Sequence, residues 1–361
     1  MKIAWFATKG SGSNEAQRMQ ALLSQLPGLV ELPFDKADKR RSFFRLRTAI
    51  KSEKPDLIVM EGTGVAGGVA CLLARMILGI RYVVSSGDAV GPFVRALHPI
   101  AGILFEIYER LLCRFSAGFI GWTPYLCGRA MTFGARKTVT AEGWVIGSAG
   151  APVPRGAIRS AWGVPPDAIV VGLVGSLVWN PRLQWCYGLD LVRAARSVDR
   201  PDLCVVIVGE GDGLPHLKQV AGALLGRRIF LPGPVPLGEV MPALQAMDVG
   251  SLPQSVDGVG AYRYTTKLPE YLATRLPVIT NQIPASYDLG LDWMWRLPGD
   301  SPWGKRYQEA LEKLLRRLDT KMIKEKSDQI PVAGETSFSK DRQCARVAAF
   351  IRELLKDGGE A

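Results

Sequence analysis

Residues 264–280 have the sequence YTTKLPEYLATRLPVIT, which combines a helical stretch with a short apolar strand. Residues 266–273 are predicted to form the helix, and residues 277–280 the strand that follows it. Outward from this segment, short β-rich apolar runs alternate with longer helical stretches through most of the chain. Because crossover helices separate the strands of a parallel sheet, this alternation predicts an α/β fold with doubly wound, parallel sheets.

The order of these elements also predicts two domains. The predicted strands are residues 2–7, 57–60, 82–85, 118–121, 138–140, 169–174, 203–208, 228–231, 249–252 and 277–280. The predicted helices are residues 14–25, 41–52, 66–78, 93–115, 125–133, 189–196, 214–225, 237–246, 266–273 and 340–355. A Gly/Pro-rich stretch at residues 147–156 interrupts the pattern. A chain of 361 residues suits two domains, which we expect at residues 1–150 and 151–338, with a C-terminal helix in 339–361.

The composition is that of a globular protein, with 47% hydrophobic and 22% charged residues. The longest apolar stretch, residues 100–115, contains two glutamates and two arginines, so no membrane span is predicted. Six scattered cysteines without a CxxC pair favour reduced thiols in a cytoplasm. Two histidines are too few for a histidine-based metal centre, so metal catalysis by a cluster of histidines is not expected.

The net charge of +11 predicts an anionic partner: a nucleotide diphosphate, an acidic membrane surface or nucleic acid. Basic and acidic residues alternate along the predicted helices, and no nucleic-acid-binding motif is present. We therefore do not expect nucleic acid to be the partner.

Glycines follow several of the predicted strands. Gly12 lies in a loop between the first strand and the first helix, where backbone N–H groups can face a phosphate, although a simple tight turn explains the loop equally well. Gly175 and Ser176 end the first strand of the second domain, and Gly209 and Gly211 follow its second strand. At such turns the backbone can approach a diphosphate closely. A dinucleotide-dependent dehydrogenase is not favoured, because no acidic residue suited to a ribose follows the second strand.

The segment at residues 264–280 carries the most specific chemistry. Thr265 and Thr266 can cap the helix, and Lys267 supplies a point charge for an anion at its N-terminus. Glu270, one turn further on, can accept hydrogen bonds from a ribose diol. The alternative is a capped surface helix on which Lys267 and Glu270 form an ordinary ion pair.

Residues 165–285 resemble the donor domain of glycosyltransferase family 4 and its GT-B relatives. The resemblance rests on the order of the strand-Gly-Ser turn, V-G-x-G, a Phe-x-x-Gly strand, D-V-x-x-x-P and K-L-x-E-Y-L-A-x-x-x-P-V-I. It implies a GT-B fold, in which two Rossmann-like domains face a cleft, and a C-terminal helix that crosses back onto the first domain. It also implies transfer of a sugar from a nucleotide-diphosphate sugar, which is the donor substrate, without a metal and without a cofactor.

The resemblance further assigns roles to single residues. Lys267 and Arg182 would neutralise the donor diphosphate, Glu270 would bind the ribose, and residues near Gly209 and Val235 would line the base. Leu268, in the same motif, is also a candidate donor-binding residue. The chain departs from the family pattern at three positions, with Tyr187 in place of the second cation, Tyr262 in place of an acid, and Arg275 near the position of the usual glycine.

Asp88 stands where many relatives have a histidine, and its carboxylate could orient or deprotonate an acceptor hydroxyl, unless it only forms an Asx turn. The apolar residues of 92–115 are expected to be mostly buried, with one exposed face as a candidate contact for anionic lipid. We therefore expect a cytoplasmic, peripheral membrane enzyme that elongates a lipid-linked or polysaccharide acceptor. A binding or scaffold subunit without turnover and a nucleotide-sugar epimerase stay open as alternatives.

Overall fold

A computed structural model describes residues 2–145, 153–265, 267–288, 292–332 and 336–356. The chain divides into two compact units. The N-terminal unit consists of the described parts of Met1–Gly143, Tyr262–Tyr264 and Ser337–Ala361, and the C-terminal unit of those of Trp144–Ala261 and Thr265–Thr336. Most of the predicted 147–156 linker lies outside the described residues.

The elements are numbered in chain order. The strands are β1 (Ile3–Ala7), β2 (Leu29–Glu31), β3 (Leu57–Glu61), β4 (Arg81–Ser86), β5 (Gly118–Gly121), β6 (Thr138–Thr140), β7 (Ile169–Val174), β8 (Leu203–Val208), β9 (Ile229–Gly233), β10 (Val249–Leu252), β11 (Val278–Asn281) and β12 (Met294–Leu297). The helices are α1 (Asn14–Leu23), α2 (Lys39–Glu53), α3 (Val65–Leu78), α4 (Val90–Leu97), α5 (Pro99–Arg114), α6 (Pro124–Thr132), α7 (Arg155–Ala161), α8 (Leu189–Ser197), α9 (Leu214–Ala221), α10 (Val240–Gln245), α11 (Lys267–Ala273), α12 (Lys305–Arg317), α13 (Thr320–Asp328) and α14 (Lys340–Lys356).

Each unit contains one six-stranded parallel sheet. The strand order is β2-β1-β3-β4-β5-β6 in the N-terminal unit and β12-β11-β10-β7-β8-β9 in the C-terminal unit. Each order reverses once, between β1 and β3 in the first sheet and between β7 and β10 in the second. At such a switch point the two following connections leave to opposite faces and open a crevice at the carboxyl ends of the strands. Ligand sites are therefore expected beyond these strand ends.

The strands form the centre of each core. All residues of β1, β3 and β8 are buried, as expected for strands of a parallel sheet with helices on both faces. In the C-terminal unit, α8 and α12 pack together, and Leu191, Leu311 and Leu315 are completely buried. Burial of one such side chain contributes about 1.5–3 kcal/mol, so these cores stabilise the sheets that hold the strand ends in place.

The predicted α/β architecture is confirmed, and each of the ten predicted strands is present. The sequence interpretation missed β2 and β12. β2 has only three residues, and β12 lies in a stretch where charged residues and tryptophans obscure the strand pattern.

The single long helix predicted at residues 93–115 is wrong, because α4 ends at Leu97 and α5 begins at Pro99. His98 between them is extended, with φ −143° and ψ 96°. The ring of a proline disfavours helical backbone in the preceding residue, which explains the break. Gly102 then lets the two helices pack closely, since a Cβ at this position would lie 2.3 Å from the Arg95 Cα.

The C-terminal helix α14 belongs to the N-terminal unit, where it packs on α1 and β6. A Cβ on Gly118 in β5 would lie only 2.6 Å from the Phe350 ring, which shows how closely α14 approaches the sheet. Arg81 at the start of β4 donates a hydrogen bond to the carbonyl of Leu354 at 2.5 Å.

Candidate active site

The predicted donor-binding turn at Gly175 and Ser176 lies at the switch point of the C-terminal sheet. Gly175 and Ser176 directly follow β7, and Gln254 lies two residues after the end of β10. The Gln254 backbone N–H donates to Asn281 Oδ1 at 3.0 Å, and its side-chain amide donates to the Tyr187 hydroxyl at 3.1 Å. The carboxyl edge is thus a tightly hydrogen-bonded surface.

Two glycine turns pack directly on each other at this edge. A Cβ on Gly209 would lie 1.9 Å from the carbonyl oxygen of Gly175, and one on Gly211 would lie 2.5 Å from that of Leu177. Both glycines have strongly positive φ angles, near 150°. The sequence therefore requires glycine here for two reasons, backbone conformation and the contact between the turns after β7 and β8.

Lys267 begins α11, and its side chain lies against the first of these turns. A Cβ on Gly175 would come within 2.9 Å of both Lys267 Cε and Nζ. The ammonium nitrogen lies 5.3 Å from the centre of the Tyr187 ring, on which it forms a cation–π contact. Burial lowers the pKa of Lys267, and the nearby Glu270 opposes this shift. The structure thus brings Gly175, Lys267 and Tyr187 together.

Glu270 lies one turn further along α11 and is half-buried, like Lys267. The short helix α11 packs against β10, which explains the partial burial of both side chains. Burial raises the pKa of Glu270, with Lys267 holding it partly down. No ion pair joins these two residues, both of which the structure describes, so the alternative of an ordinary surface pair is not observed.

The neighbouring predicted residues differ in their surroundings. Leu268 is buried and packs in the core. The Thr265 hydroxyl is buried and forms no hydrogen bond with the described part of the chain, whereas its carbonyl accepts from the Leu268 N–H at 3.0 Å. The predicted cap of α11 by the Thr265 side chain is therefore absent. Thr266 lies outside the described residues.

Arg182 and Val235 are further from this group of residues. Arg182 is exposed in the loop between β7 and α8, where its backbone N–H donates to Asn180 Oδ1 at 3.0 Å. Val235 is half-buried and lines an open cavity of about 430 Å³ beside the edge strand β9. The end of β9 is joined to the second glycine turn, because the Gly209 N–H donates to the carbonyl of Gly233 at 2.9 Å.

In the N-terminal unit, the predicted catalytic residue Asp88 follows β4. Its Oδ1 accepts a hydrogen bond from Arg263 Nε at 2.7 Å, and about half of its side chain is exposed. The alternative of an Asx turn is not observed, since α4 begins after Ala89 without a side-chain cap. Gly12 lies in the exposed loop after β1 with φ +78°, and Ser13 caps α1 through a hydrogen bond from the Ala16 N–H.

The sequence interpretation missed a buried ion pair at the carboxyl edge of this first sheet. Arg18 Nη1 lies 3.2 Å from Glu61 Oε2, which also accepts a hydrogen bond from the Ser85 hydroxyl at 2.7 Å. The Arg18 guanidinium stacks over the Trp122 ring at 4.1 Å. Burial raises the pKa of Glu61, and Arg18 and Ser85 lower it in part. A carboxylate that ends an apolar strand before a glycine, as Glu61 does before Gly62, is the signal that could have revealed this pair.

Part of the C-terminal unit matches a known protein family. Residues 168–301 match the family model described as "Glycosyl transferases group 1". These residues form a group 1 glycosyltransferase domain. It contains β7 to β12, both glycine turns and α11, so the resemblance inferred from the sequence and the prediction of a glycosyltransferase are confirmed.

Solved structures resemble this chain over nearly its whole length. Sucrose-phosphate synthase from Thermosynechococcus elongatus has a TM-score of 0.65 at 13% identity and covers 99% of each chain. WaaG, a glycosyltransferase involved in lipopolysaccharide biosynthesis, has a TM-score of 0.64 at 13% identity and covers 96% of this chain and 99% of its own. UDP-GlcNAc 2-epimerase from Neisseria meningitidis, bound to UDP-GlcNAc, has a TM-score of 0.54 at 12% identity and covers 99% of this chain and all of its own. These likenesses establish the GT-B fold, and no curated protein matches the sequence.

The chain departs from the family pattern at Tyr187, Tyr262 and Arg275, and the structure shows which contacts each residue makes. Tyr187 supplies the ring under Lys267. Tyr262 belongs to the N-terminal unit, where its carbonyl accepts from Thr123 Oγ1 at 2.8 Å. Arg275 adopts a left-handed conformation with φ +53°, and its guanidinium donates to the carbonyls of Ser327 and Ile330 at 3.0 and 3.1 Å. These bonds offset the strain that a glycine would have avoided.

Neither a membrane span nor a metal cluster is found in the part of the chain that the structure describes. No described helix is both long and apolar enough to cross a bilayer. No group of three or more His, Cys, Asp or Glu side chains among the described residues could hold a metal ion. All six cysteines are buried and unpaired.

Proposed function

We propose that the protein transfers a sugar from a nucleotide-diphosphate sugar that binds at the carboxyl edge of the C-terminal sheet. The single observation that carries the proposal is the environment of Lys267. Its ammonium group is half-buried and desolvated, forms no ion pair with the described residues although Glu270 is near, and faces the turn after β7. A cation in this setting costs free energy until an anion binds, and a diphosphate supplies that anion.

Three side chains would contact the diphosphate in this proposal. Lys267 provides the buried charge and Arg182 an exposed one. The Tyr187 hydroxyl accepts a hydrogen bond from Gln254, which leaves its own proton available for a phosphate oxygen. The glycine turn at Gly175 and Ser176 lets the backbone come close to the same group. Tyr187 thereby takes over part of the role of the second cation that the family pattern has at this position.

Glu270, Val235 and the glycine turn after β8 complete the proposed donor site. The Glu270 carboxylate has no ion-pair partner among the described residues, so its oxygens can accept hydrogen bonds from the two ribose hydroxyls. The hydrogen bond between Gly209 and Gly233 holds the end of β9 beside that turn, and Val235 follows two residues later. An apolar side chain at this position suits contact with the flat face of a base.

The proposed reaction needs a group that accepts the proton of the acceptor. The acceptor oxygen bonds to the anomeric carbon, the bond from this carbon to the donor phosphate breaks, and the nucleoside diphosphate leaves with the electron pair. The acceptor proton passes to Asp88, which Arg263 orients through its 2.7 Å hydrogen bond. Lys267 and Arg182 stabilise the negative charge on the leaving diphosphate, so the reaction is proposed to be independent of metal and cofactor.

The proposed acceptor is lipid-linked, or a polysaccharide, at the inner face of a membrane. The surface of α4 and α5 supports this choice. Most apolar side chains of residues 92–115, which we expected to be buried, are exposed, including Ile100 at 78% and Leu104 at 63%. Apolar residues in one exposed patch are typical of an interfacial helix, and the net charge of +11 favours an anionic lipid surface.

The matched test of the donor site is Lys267→Gln against Lys305→Gln, since Lys305 is a highly exposed lysine at the start of α12. A thermal-shift panel of nucleotide sugars with different bases identifies the donor, because a ligand at 100 times its dissociation constant stabilises a protein by about 2.7 kcal/mol. Calorimetric titration then measures its affinity. Loss of a charged hydrogen bond costs about 1.5–3 kcal/mol, so Lys267→Gln should weaken binding roughly 10- to 150-fold. Equal affinities in the two variants would refute the site.

A nucleotide-sugar epimerase is the second candidate, favoured by the likeness to the UDP-GlcNAc 2-epimerase structure. An epimerase converts the nucleotide sugar alone, whereas a transferase needs an acceptor. NMR spectra of the donor incubated with the protein alone separate the two. Appearance of a second nucleotide sugar that differs at one carbon would favour the epimerase.

A further inference from the structure

A basic cavity lies at the amino edge of the N-terminal sheet, opposite to the edge where Asp88 lies. Its volume is about 450 Å³. It is formed where β4, β5 and β6 begin, together with the ends of α3, α5 and α14. Five cationic side chains line it: Arg75, Arg81, Arg114, Arg136 and Lys137. None of the proposed donor-binding residues, and not Asp88, lines this cavity.

The cations of the cavity are only partly neutralised. Lys137 pairs with Glu353 at 2.5 Å, and Arg81 donates to the carbonyl of Leu354. Arg114 and Arg136 are exposed and form no hydrogen bond or ion pair with the described residues. Like charges held together without anions repel each other, so binding of a phosphate group would stabilise the arrangement.

The border of the cavity is apolar on one side. Phe115 lines the cavity and is 43% exposed. It continues an exposed stripe on α5 formed by Ile100, Leu104, Ile107 and Leu111, which lie at helical spacings of three and four residues. Leu111 is one turn before Phe115, so the stripe leads directly into the cavity.

We infer that this cavity binds the phosphate of an anionic phospholipid headgroup when the stripe on α5 contacts a membrane. An interfacial helix buries its apolar face at the boundary between headgroups and acyl chains, which places neighbouring cations at the level of the phosphates. A soluble phosphate would need the cations but not the apolar stripe that reaches the cavity at Phe115. The inference rests on the membrane association in the proposed function and gives it a defined lipid contact.

The test compares two double variants that remove the same charge. Arg114→Gln with Arg136→Gln alters the cavity, and Lys313→Gln with Arg317→Gln alters the exposed face of α12 in the other unit. Each protein is sedimented at low salt with vesicles of equal parts phosphatidylcholine and phosphatidylglycerol, and with phosphatidylcholine alone. Each cation near an anionic surface contributes about fivefold to partitioning, so the cavity variant should bind phosphatidylglycerol roughly 30-fold more weakly. The control variant should stay close to the wild type.

The outcomes separate the inference from the proposals on which it rests. Equal losses in both variants would show that only overall charge matters, which overturns the cavity but leaves membrane association standing. If the wild type does not sediment with phosphatidylglycerol vesicles, both the cavity site and the membrane association are refuted. If inorganic phosphate without lipid raises the melting temperature of the wild type but not of the cavity variant, the cavity binds a free phosphate instead of a lipid. Donor titrations of the cavity variant should be unchanged, and they test the sugar-donor site separately.

Discussion

Lys267 and Asp190 of the C-terminal unit form no ion pair with the described residues, and their positions give this different consequences. Lys267 faces the turn after β7 at the edge of the sheet, where an anion can reach it. Asp190, in the first turn of α8, is 1% exposed, and neither of its carboxylate oxygens forms a hydrogen bond of normal geometry with the described residues. A ligand can compensate the first charge, whereas only protonation can compensate the second.

The pKa of Asp190 makes stability depend on pH. Burial raises this pKa to about 7, and the backbone N–H groups nearby lower it only in part. Below the unfolded-state pKa, near 3.8, the carboxyl is protonated in both states. Between that pH and about 7, the folded state binds a proton that the unfolded state has lost. The free energy of unfolding therefore decreases as the pH rises through this range.

Asp190→Asn should remove this dependence, since the amide does not ionise. Relative to the wild type, the variant should gain roughly 2–3 kcal/mol of stability between pH 5 and pH 8, because one pKa unit corresponds to about 1.4 kcal/mol. Urea denaturation at the two pH values measures the difference, with the exposed Glu325→Gln as control. A constant offset between Asp190→Asn and the wild type at both pH values would contradict the assignment.

Among the elements, α4 and α5 show how one small residue decides a packing geometry. An alanine normally stabilises an exposed helix interior relative to glycine by about 0.5–1 kcal/mol. At Gly102 in α5 the added Cβ would meet the Arg95 backbone, whereas at Gly128 in α6 no atom lies within 4 Å of it. The absence of a side chain at Gly102 therefore allows α4 and α5 to pack closely.

Gly128→Ala is predicted to raise the free energy of unfolding by about 0.5–1 kcal/mol, and Gly102→Ala to lower it by about 1–3 kcal/mol through overcrowding. Thermal and urea denaturation of both variants measure these changes. Stabilisation by both substitutions would mean that α4 moves away from α5 at little cost.

The elements also show which parts of the fold the sequence could predict. Runs such as Leu203–Val208 are apolar throughout, so the local sequence predicts a strand that is buried on both faces of a sheet. The break between α4 and α5 was predictable as well, because Pro99 restricts His98. The strand β2 was not predictable, since three residues are too few to show a pattern. Pairing with β1 is what stabilises this strand.

For the whole molecule, the proposed donor site predicts activity without a metal ion. The negative charge of the leaving diphosphate is assigned to Lys267 and Arg182, and no acidic cluster that could bind a metal is found among the residues described. Extensive treatment with EDTA should therefore leave most of the transfer activity, measured as release of nucleoside diphosphate in the presence of acceptor. Activity that is lost with EDTA and restored by magnesium or manganese would contradict this proposal. Elemental analysis of the same sample can verify that EDTA has removed the metal ions.

The sequence by itself determined the parallel α/β architecture and the motif that identifies residues 168–301. Both depend on local patterns, apolar runs for buried strands and a fixed order of glycines and charges for the turns. Only the tertiary structure decided the environment of single side chains. It placed Lys267 on the Tyr187 ring, paired Asp88 with Arg263 and Arg18 with Glu61, and left the stripe on α5 exposed. These features depend on residues distant in the chain, and burial and charge at a position arise only when those residues meet.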